Sequence, residues 1–193
     1  MRSYFTLLFS ILICSHSYAQ INIEKWVKHN IDSLHKQHID TLLYYNEYCN
    51  ECDVTKGMRC SFTGNNGEIE DIIIYQQYGK YYSLQFNCYY APIKKQLNNC
   101  SSIPYSISII PTLNSRDKAV KLLVKKGKFL PPQITDGTHQ YVQIFIAGKS
   151  NEISMSEDMP EDLVKDWQTF SWFNKEVRLF ELISKDIAPT NNG

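Results

Sequence analysis

The chain has 193 residues, of which 43% are hydrophobic and 13% aromatic, so it carries enough apolar material for a packed core. This composition excludes a wholly disordered or collagen-like chain. Lysine and arginine number 20 together, as do aspartate and glutamate, and this balance gives no indication of nucleic-acid binding. We therefore predict one globular domain and no nucleic-acid partner.

Residues 1–19 have the pattern of a secretory signal peptide. Arg2 supplies a positive charge near the N-terminus, and the run from Tyr4 to Cys14 is apolar. The small residues Ser17 and Ala19 then have the spacing of a signal-peptidase cleavage site. We expect cleavage after Ala19, which leaves residues 20–193 as a periplasmic or secreted α+β domain. The apolar run is shorter than the roughly twenty residues of a membrane span, and no transmembrane segment is predicted.

The cleavage junction and the low glycine content resemble those of proteins exported by Gram-negative bacteria, a resemblance that covers the leader alone and names no family.

The cysteines of the mature chain are expected to form disulfides. The compartment that an exported protein reaches is oxidising, which favours two disulfides and one free thiol. The five candidates are Cys49, Cys52, Cys60, Cys88 and Cys100. We expect Cys88 to pair with Cys100, and Cys60 to pair with either Cys49 or Cys52.

The predicted elements begin with a long amphipathic helix. Apolar side chains recur every three or four residues across residues 22–48, and no proline or glycine interrupts them. Polar residues then break the pattern. A short strand is predicted from Met58 to Thr63, followed by a turn that begins at Gly64.

The clearest pattern in the sequence is a β-hairpin formed by residues 69–78 and 81–90. Gly79-Lys80 is expected to form a two-residue type II′ turn, which sets the register so that Tyr78 faces Tyr81. One face of this hairpin is apolar and should face the core. The opposite face is mixed, so we expect it to be half solvated or lightly covered.

The next segment alternates between apolar and polar residues over 103–110, and its residues 105–110 lie between Pro104 and Pro111, which predicts an edge strand. A helix is predicted from Arg116 to Lys126. A second hairpin joins residues 139–147 and 150–156 across Gly148-Lys149, again with glycine at the first central position of the turn.

Two helices are predicted near the C-terminus, one beginning at Pro160 and one from Lys175 to about Asp186 with Asn174 as its cap. Since the strands come mostly as hairpins, the predicted fold class is α+β, with a mainly antiparallel sheet, a long N-terminal helix and C-terminal helices packed on it. This order of elements resembles the cystatin-type and NTF2-type curved-sheet folds, a resemblance that transfers no functional residue.

Two groups of residues could support chemistry. Cys49 and Cys52 have the spacing of a redox pair or of part of a zinc site, but nearby carboxylates and a helix C-terminus disfavour a thiolate, and the short pair is not repeated. His35 and His38, with Asp32 one turn earlier, could serve a metal ion or a hydrolase. The sequence lacks a zinc-peptidase motif, a nucleophile elbow and a phosphate-binding loop, so no cofactor is predicted.

The sequence predicts no particular reaction. It favours an exported, non-catalytic binding module of inhibitor or immunity type that meets a protein partner in the bacterial cell envelope. Its expected binding surface is the mixed hairpin face with Tyr78, Tyr81 and Tyr89, because tyrosine is enriched in interfaces, unless a helix covers that face. The alternatives are an envelope hydrolase or metal-binding protein that uses His35 and His38, and a structural component of the envelope.

Overall fold

The computed structural model describes residues 23–49, 71–86, 91–125, 138–156 and 168–188, and these ranges contain three helices and six strands. The helices are α1 (Ile23–Lys36), α2 (Ser102–Lys125) and α3 (Ser171–Ile187). The strands are β1 (Thr41–Cys49), β2 (Asp71–Gln77), β3 (Lys80–Phe86), β4 (Ile93–Leu97), β5 (Thr138–Ile146) and β6 (Lys149–Ser156).

The six strands form one antiparallel sheet in the order β4-β3-β2-β1-β5-β6, so the predicted α+β class is confirmed. Strand β1 lies at the centre and pairs with β2 on one side and with β5 on the other. Each of its two neighbours belongs to a hairpin, β2–β3 or β5–β6. Because both neighbours run antiparallel to β1, the two hairpin turns lie at the same end of the sheet.

Helix α1 covers one face of the sheet. Its buried side chains share one stripe and pack on strand residues of β1, β2 and β3: Ile23, Val27, Ile31 and Leu34 against Leu42, Ile73, Tyr75 and Phe86. The opposite face packs on α2 and α3, through Leu43, Ile72, Ile74, Val142, Ile144 and Ile153 against Ile103, Ile109, Leu113, Leu179, Phe180 and Ile183. The centre of the sheet is therefore buried on both faces.

The prediction of a helix over residues 22–48 is wrong beyond its first half, because α1 ends at Lys36 and the chain then enters the central strand. His38 has a left-handed backbone with φ of 60°. The Ile39 N–H donates to the Leu34 carbonyl at 3.1 Å and the His38 N–H donates to the His35 carbonyl at 3.0 Å. These two bonds form a Schellman motif, which ends the helix without glycine.

The prediction of an edge strand at residues 103–110 is also wrong, since these residues form the first part of α2. Ile103, Ser106, Ile109 and Leu113 are buried and are three or four residues apart, which is helical spacing. Pro111 lies inside the helix. The predicted helix from Arg116 forms the second part of α2 rather than a separate element, and the edge of the sheet is instead β4, which was not predicted.

Both hairpins are confirmed, but each predicted register is wrong by two residues. Gln77 pairs with Lys80 in the first hairpin, and Ile146 pairs with Lys149 in the second. The central turn residues are therefore Tyr78-Gly79 and Ala147-Gly148. All four have positive φ, at 52°, 73°, 48° and 75°, which defines type I′ turns with glycine in the second position.

The last helix, α3, begins at Ser171, four residues before the predicted start, with Phe170 as its N-cap residue. The strand predicted from Met58, the turn at Gly64 and the helix predicted from Pro160 lie outside the described residues. Of the helices described, none combines the length and apolar character that crossing a membrane requires.

Candidate functional site

Tyr78 occupies the first central position of the β2–β3 turn, and we call this pair, Tyr78-Gly79, the Tyr78 turn. Its side chain is 94% exposed, the largest value among the exposed large hydrophobic side chains of the described residues. A non-glycine residue in the left-handed region is strained by about 1 kcal/mol, and a bulky one is uncommon there. The structure therefore holds an aromatic ring in water at a position where local energetics do not favour it.

The other tyrosines predicted to share a surface with Tyr78 are placed differently. Tyr81 is partly buried and packs against the core cluster beneath α2 and α3. The face that carries it also buries Ile74 and Ser83, so helices cover the mixed hairpin face, as the alternative prediction held. Tyr89 lies outside the described residues. The three-tyrosine surface stays a prediction; of its two described members, Tyr78 is exposed and Tyr81 is partly buried.

A second candidate site is an open cleft between helix α1 and the sheet, which we call the α1 cleft. It has a volume of about 570 Å³. Its helical wall consists of Glu24, Val27, Lys28, Ile31 and Asp32. Its other wall consists of side chains from β1 and β5: Tyr44, Asn46, Tyr141, Gln143 and Phe145. The cleft exists because α1 packs over β1, β2 and β3 and leaves this part of β5 less covered.

The polar side chains on the sheet side of the α1 cleft are bonded to acidic residues. Tyr44 Oη donates a short hydrogen bond to Asp71 Oδ1, and Asn46 Nδ2 donates to the same oxygen at 2.9 Å. Gln143 Nε2 donates to Glu152 Oε1 at 3.3 Å. Acidic side chains on the neighbouring strands therefore flank the sheet wall of the cleft, in addition to those on α1.

The two histidines of the hydrolase or metal prediction take part in the end of α1. His35 Nδ1 donates to the Ile39 carbonyl oxygen at 3.1 Å. The His35 and Phe145 rings form a T-shaped pair with their centroids 5.6 Å apart. His38 is exposed at the left-handed position that ends the helix. The structure thus uses both residues in a helix-terminating turn and does not direct them to one point.

Within the described ranges, no group of three or more histidine, cysteine, aspartate and glutamate side chains is placed to hold a metal ion. Cys49 lies in β1, and Cys52, Cys60 and Cys88 lie outside the described residues. Cys100 is partly buried, and its thiol is free, with Sγ 3.5 Å from Ser102 Oγ. Burial raises the pKa of the Cys100 thiol. The predicted disulfide pairs stay predictions.

Sequence reasoning missed the α1 cleft. Tyr44 and Asn46 were assigned to a helix, which hid the fact that they point to the same side of a strand. The signal in the sequence was a period of two, because Tyr141, Gln143 and Phe145 alternate in the same way on the neighbouring strand.

Comparisons of the chain with protein-family models, with curated proteins and with solved structures each find no match.

Proposed function

We propose that this chain is an exported, non-catalytic binding protein of the bacterial cell envelope, of the inhibitor or immunity type, and that it contacts a protein partner through the Tyr78 turn. The leader supports export, with a mature chain that begins at Gln20 and stays in the periplasm or is secreted. The Tyr78 side chain supports the location of the binding surface.

The observation that carries this proposal is the exposure of Tyr78 in a strained conformation. Tyrosine is favoured at the centre of protein interfaces, because its ring supplies a large contact area and its hydroxyl a hydrogen bond. Residues held in sparsely populated backbone regions cluster at sites of function. Tyr78 combines both properties at 94% exposure and a φ of 52°.

The test begins with the protein as it is exported. The full-length chain is expressed with a C-terminal tag in a Gram-negative host, and the mature protein is recovered from the periplasm or the medium. Intact mass should show cleavage after Ala19. A protein retained in the cytoplasm with an intact leader would overturn the proposed location.

The second step uses the recovered protein to capture a partner from envelope extract. The captured protein is identified by mass spectrometry, purified and tested for direct binding to the wild type, to Tyr78→Ser and to Ala147→Ser. We expect Tyr78→Ser to lose most of the binding and Ala147→Ser to retain it. Equal binding by both variants would overturn the assignment of the Tyr78 turn as the contact surface.

A further inference from the structure

We propose that the α1 cleft binds a small organic cation, an ammonium or guanidinium group carried on an aliphatic stem. The site lies along α1 between Glu24 and Asp32, away from the Tyr78 turn. It does not depend on the function proposed above. Three features favour such a ligand: the aromatic wall of the cleft, a lysine ammonium that packs on tyrosines of the same sheet face, and the charges around the opening.

The sheet wall of the cleft presents aromatic rings. Tyr44 and Tyr141 lie edge to face, with ring centroids 6.0 Å apart and an interplanar angle of 67°. Phe145 lines the same wall. The face of an aromatic ring attracts a cation within about 6 Å of its centroid, and this attraction is strongest where water is partly excluded. A cleft with such a wall favours a positively charged ligand.

The same face of the sheet already holds a cation on a tyrosine pair. Tyr75 and Tyr82 are stacked with centroids 5.6 Å apart, and both belong to the core cluster beneath α1. The Lys94 ammonium lies 4.2 Å from the Tyr82 centroid and 5.4 Å from that of Tyr75. This contact shows within the molecule how an ammonium on a four-carbon stem packs on paired tyrosines of this sheet.

The charges around the cleft favour the same ligand. Glu24 and Asp32 line the helical wall, and Lys28 lies between them at a spacing of four residues from each. On the strands beside the sheet wall, Asp71 and Glu152 accept the hydrogen bonds of Tyr44 and Gln143. The charged side chains that line the cleft are thus two acids and one base, and acids flank its sheet wall, which favours a positively charged ligand.

The volume of the cleft and its apolar lining fit a small ligand. The volume of about 570 Å³ lies within the usual range of small-molecule sites. Val27 and Ile31 supply apolar contact for an aliphatic stem, while Glu24 and Asp32 are exposed at the rim, where a charged head group can reach them. Gln143 donates its N–H to Glu152, so its carbonyl oxygen is the atom it can offer to a ligand donor.

The test is an NMR titration of the ¹⁵N-labelled mature protein with four probes. Nα-acetyl-arginine amide and Nα-acetyl-lysine amide carry the two cations, n-butylguanidine is a free monovalent cation of similar length, and Nα-acetyl-citrulline amide is the neutral isostere of the arginine probe. We expect the cations to shift the amide signals of α1 and of residues 141–145. Stronger binding of the blocked amino acids than of n-butylguanidine would identify a protein side chain as the source, and the reverse order a free small cation.

Variants test the contribution of each wall. Glu24→Gln and Asp32→Asn should each weaken cation binding by about three-fold, and Tyr141→Leu by about five-fold. Lys28→Gln should strengthen cation binding, because the substitution removes the repulsion between the Lys28 ammonium and the ligand. Glu181→Gln removes one exposed acid on the other side of the sheet and should change nothing.

Three results would overturn the proposal. These are equal binding of the citrulline and arginine probes, shifts confined to other parts of the molecule, and an affinity that the Glu24, Lys28 and Asp32 substitutions leave unchanged. Because these three residues are exposed or lie at the rim of the cleft, the variants should fold normally. A folded variant that keeps wild-type affinity therefore counts against the site.

Discussion

The two hairpins of the sheet have the same turn and present different side chains. Each turn is of type I′, with a non-glycine residue and then a glycine at positive φ. Each is tied to the connection between α1 and β1, by Gln77 Nε2 to Gln37 Oε1 at 3.2 Å in one hairpin and by the Ala147 N–H to the Asp40 carbonyl at 3.0 Å in the other. The β5–β6 turn exposes a methyl group, whereas the β2–β3 turn exposes a phenol ring.

This difference shows that the turn itself does not require an aromatic residue. Alanine occupies the equivalent position of the second hairpin, and asparagine is the residue that type I′ turns prefer there. The phenol ring of Tyr78 therefore adds something other than turn stability, and we interpret it as a contact for a partner.

The largest expected difference between the hairpins is the stability cost of substitutions in their strands. Tyr44 pairs with Ile73 on one side and with Gln143 on the other, yet Ile73 is fully buried under α1 whereas Gln143 is half-buried beside the cleft. Ile73→Ala should destabilise the fold by about 3 kcal/mol, because it removes buried methylene groups and leaves a cavity. Gln143→Ala should cost less than about 0.5 kcal/mol. Urea denaturation measures both, and similar losses would contradict the described burial.

The glycines of the two turns should respond equally. Gly79 and Gly148 have φ of 73° and 75°, and a Cβ at either position would meet no atom within 4 Å. The cost of Gly79→Val and of Gly148→Val is therefore conformational, about 1.5 kcal/mol for each. Thermal unfolding of the two variants should show the same decrease, and a cost at one position alone would mean that the turns differ in type.

Asparagine at the first turn position should stabilise both hairpins. Tyr78→Asn and Ala147→Asn each relieve strain in the left-handed region, by about 0.5 kcal/mol. The free energy of unfolding should rise in both variants, as measured by chemical denaturation. A loss of stability in Tyr78→Asn would show that the Tyr78 ring supports the fold, which contradicts the interpretation of a contact surface.

The chain continues from the β2–β3 hairpin through β4 to Cys100, whereas residues 157–193 after the β5–β6 hairpin contain no cysteine. Burial raises the pKa of this thiol, so the neutral form is favoured in the folded state. Alkylation by iodoacetamide should therefore be slower than that of an exposed thiol at pH 8, and it should still increase as the pH rises above about 8.5. The stability of the fold should fall slightly over the same pH range, because the unfolded chain loses its proton first.

The protein is alkylated without reductant, and mass spectrometry then measures the fraction of Cys100 that is labelled at each pH. Labelling that appears only after reduction would show that Cys100 is in a disulfide, as the sequence-based pairing with Cys88 expects, and not the free thiol of the structure.

The sequence predicted the hairpins because their patterns are local. Alternating apolar residues on both sides of a glycine are sufficient to identify strands and a turn, but not to distinguish a type II′ from a type I′ turn. That distinction depends on whether glycine holds the first or the second central position. The patterns around Gly79 and Gly148 allow both, and the choice of the first shifted each register by two residues.

The segments predicted wrongly are those whose structure depends on distant contacts. Asp186 of α3 accepts hydrogen bonds from the Ser101 and Ser102 N–H groups at 2.9 and 2.8 Å, which caps α2 from a position more than eighty residues away. Residues 42–45 are apolar on both sides because this part of the central strand is covered on both faces, and such a run fits a helix equally well. The α1 cleft was hidden by that same error.

The most direct test of the central claim compares the Tyr78→Asn and Ala147→Asn variants in binding to the purified envelope partner. Both variants should be folded and at least as stable as the wild type, so any difference in affinity reports the side chain alone. We predict that Tyr78→Asn raises Kd by about thirty-fold, as expected for a tyrosine at the centre of an interface, and that Ala147→Asn leaves it within about two-fold. An unchanged Kd for Tyr78→Asn would contradict the account.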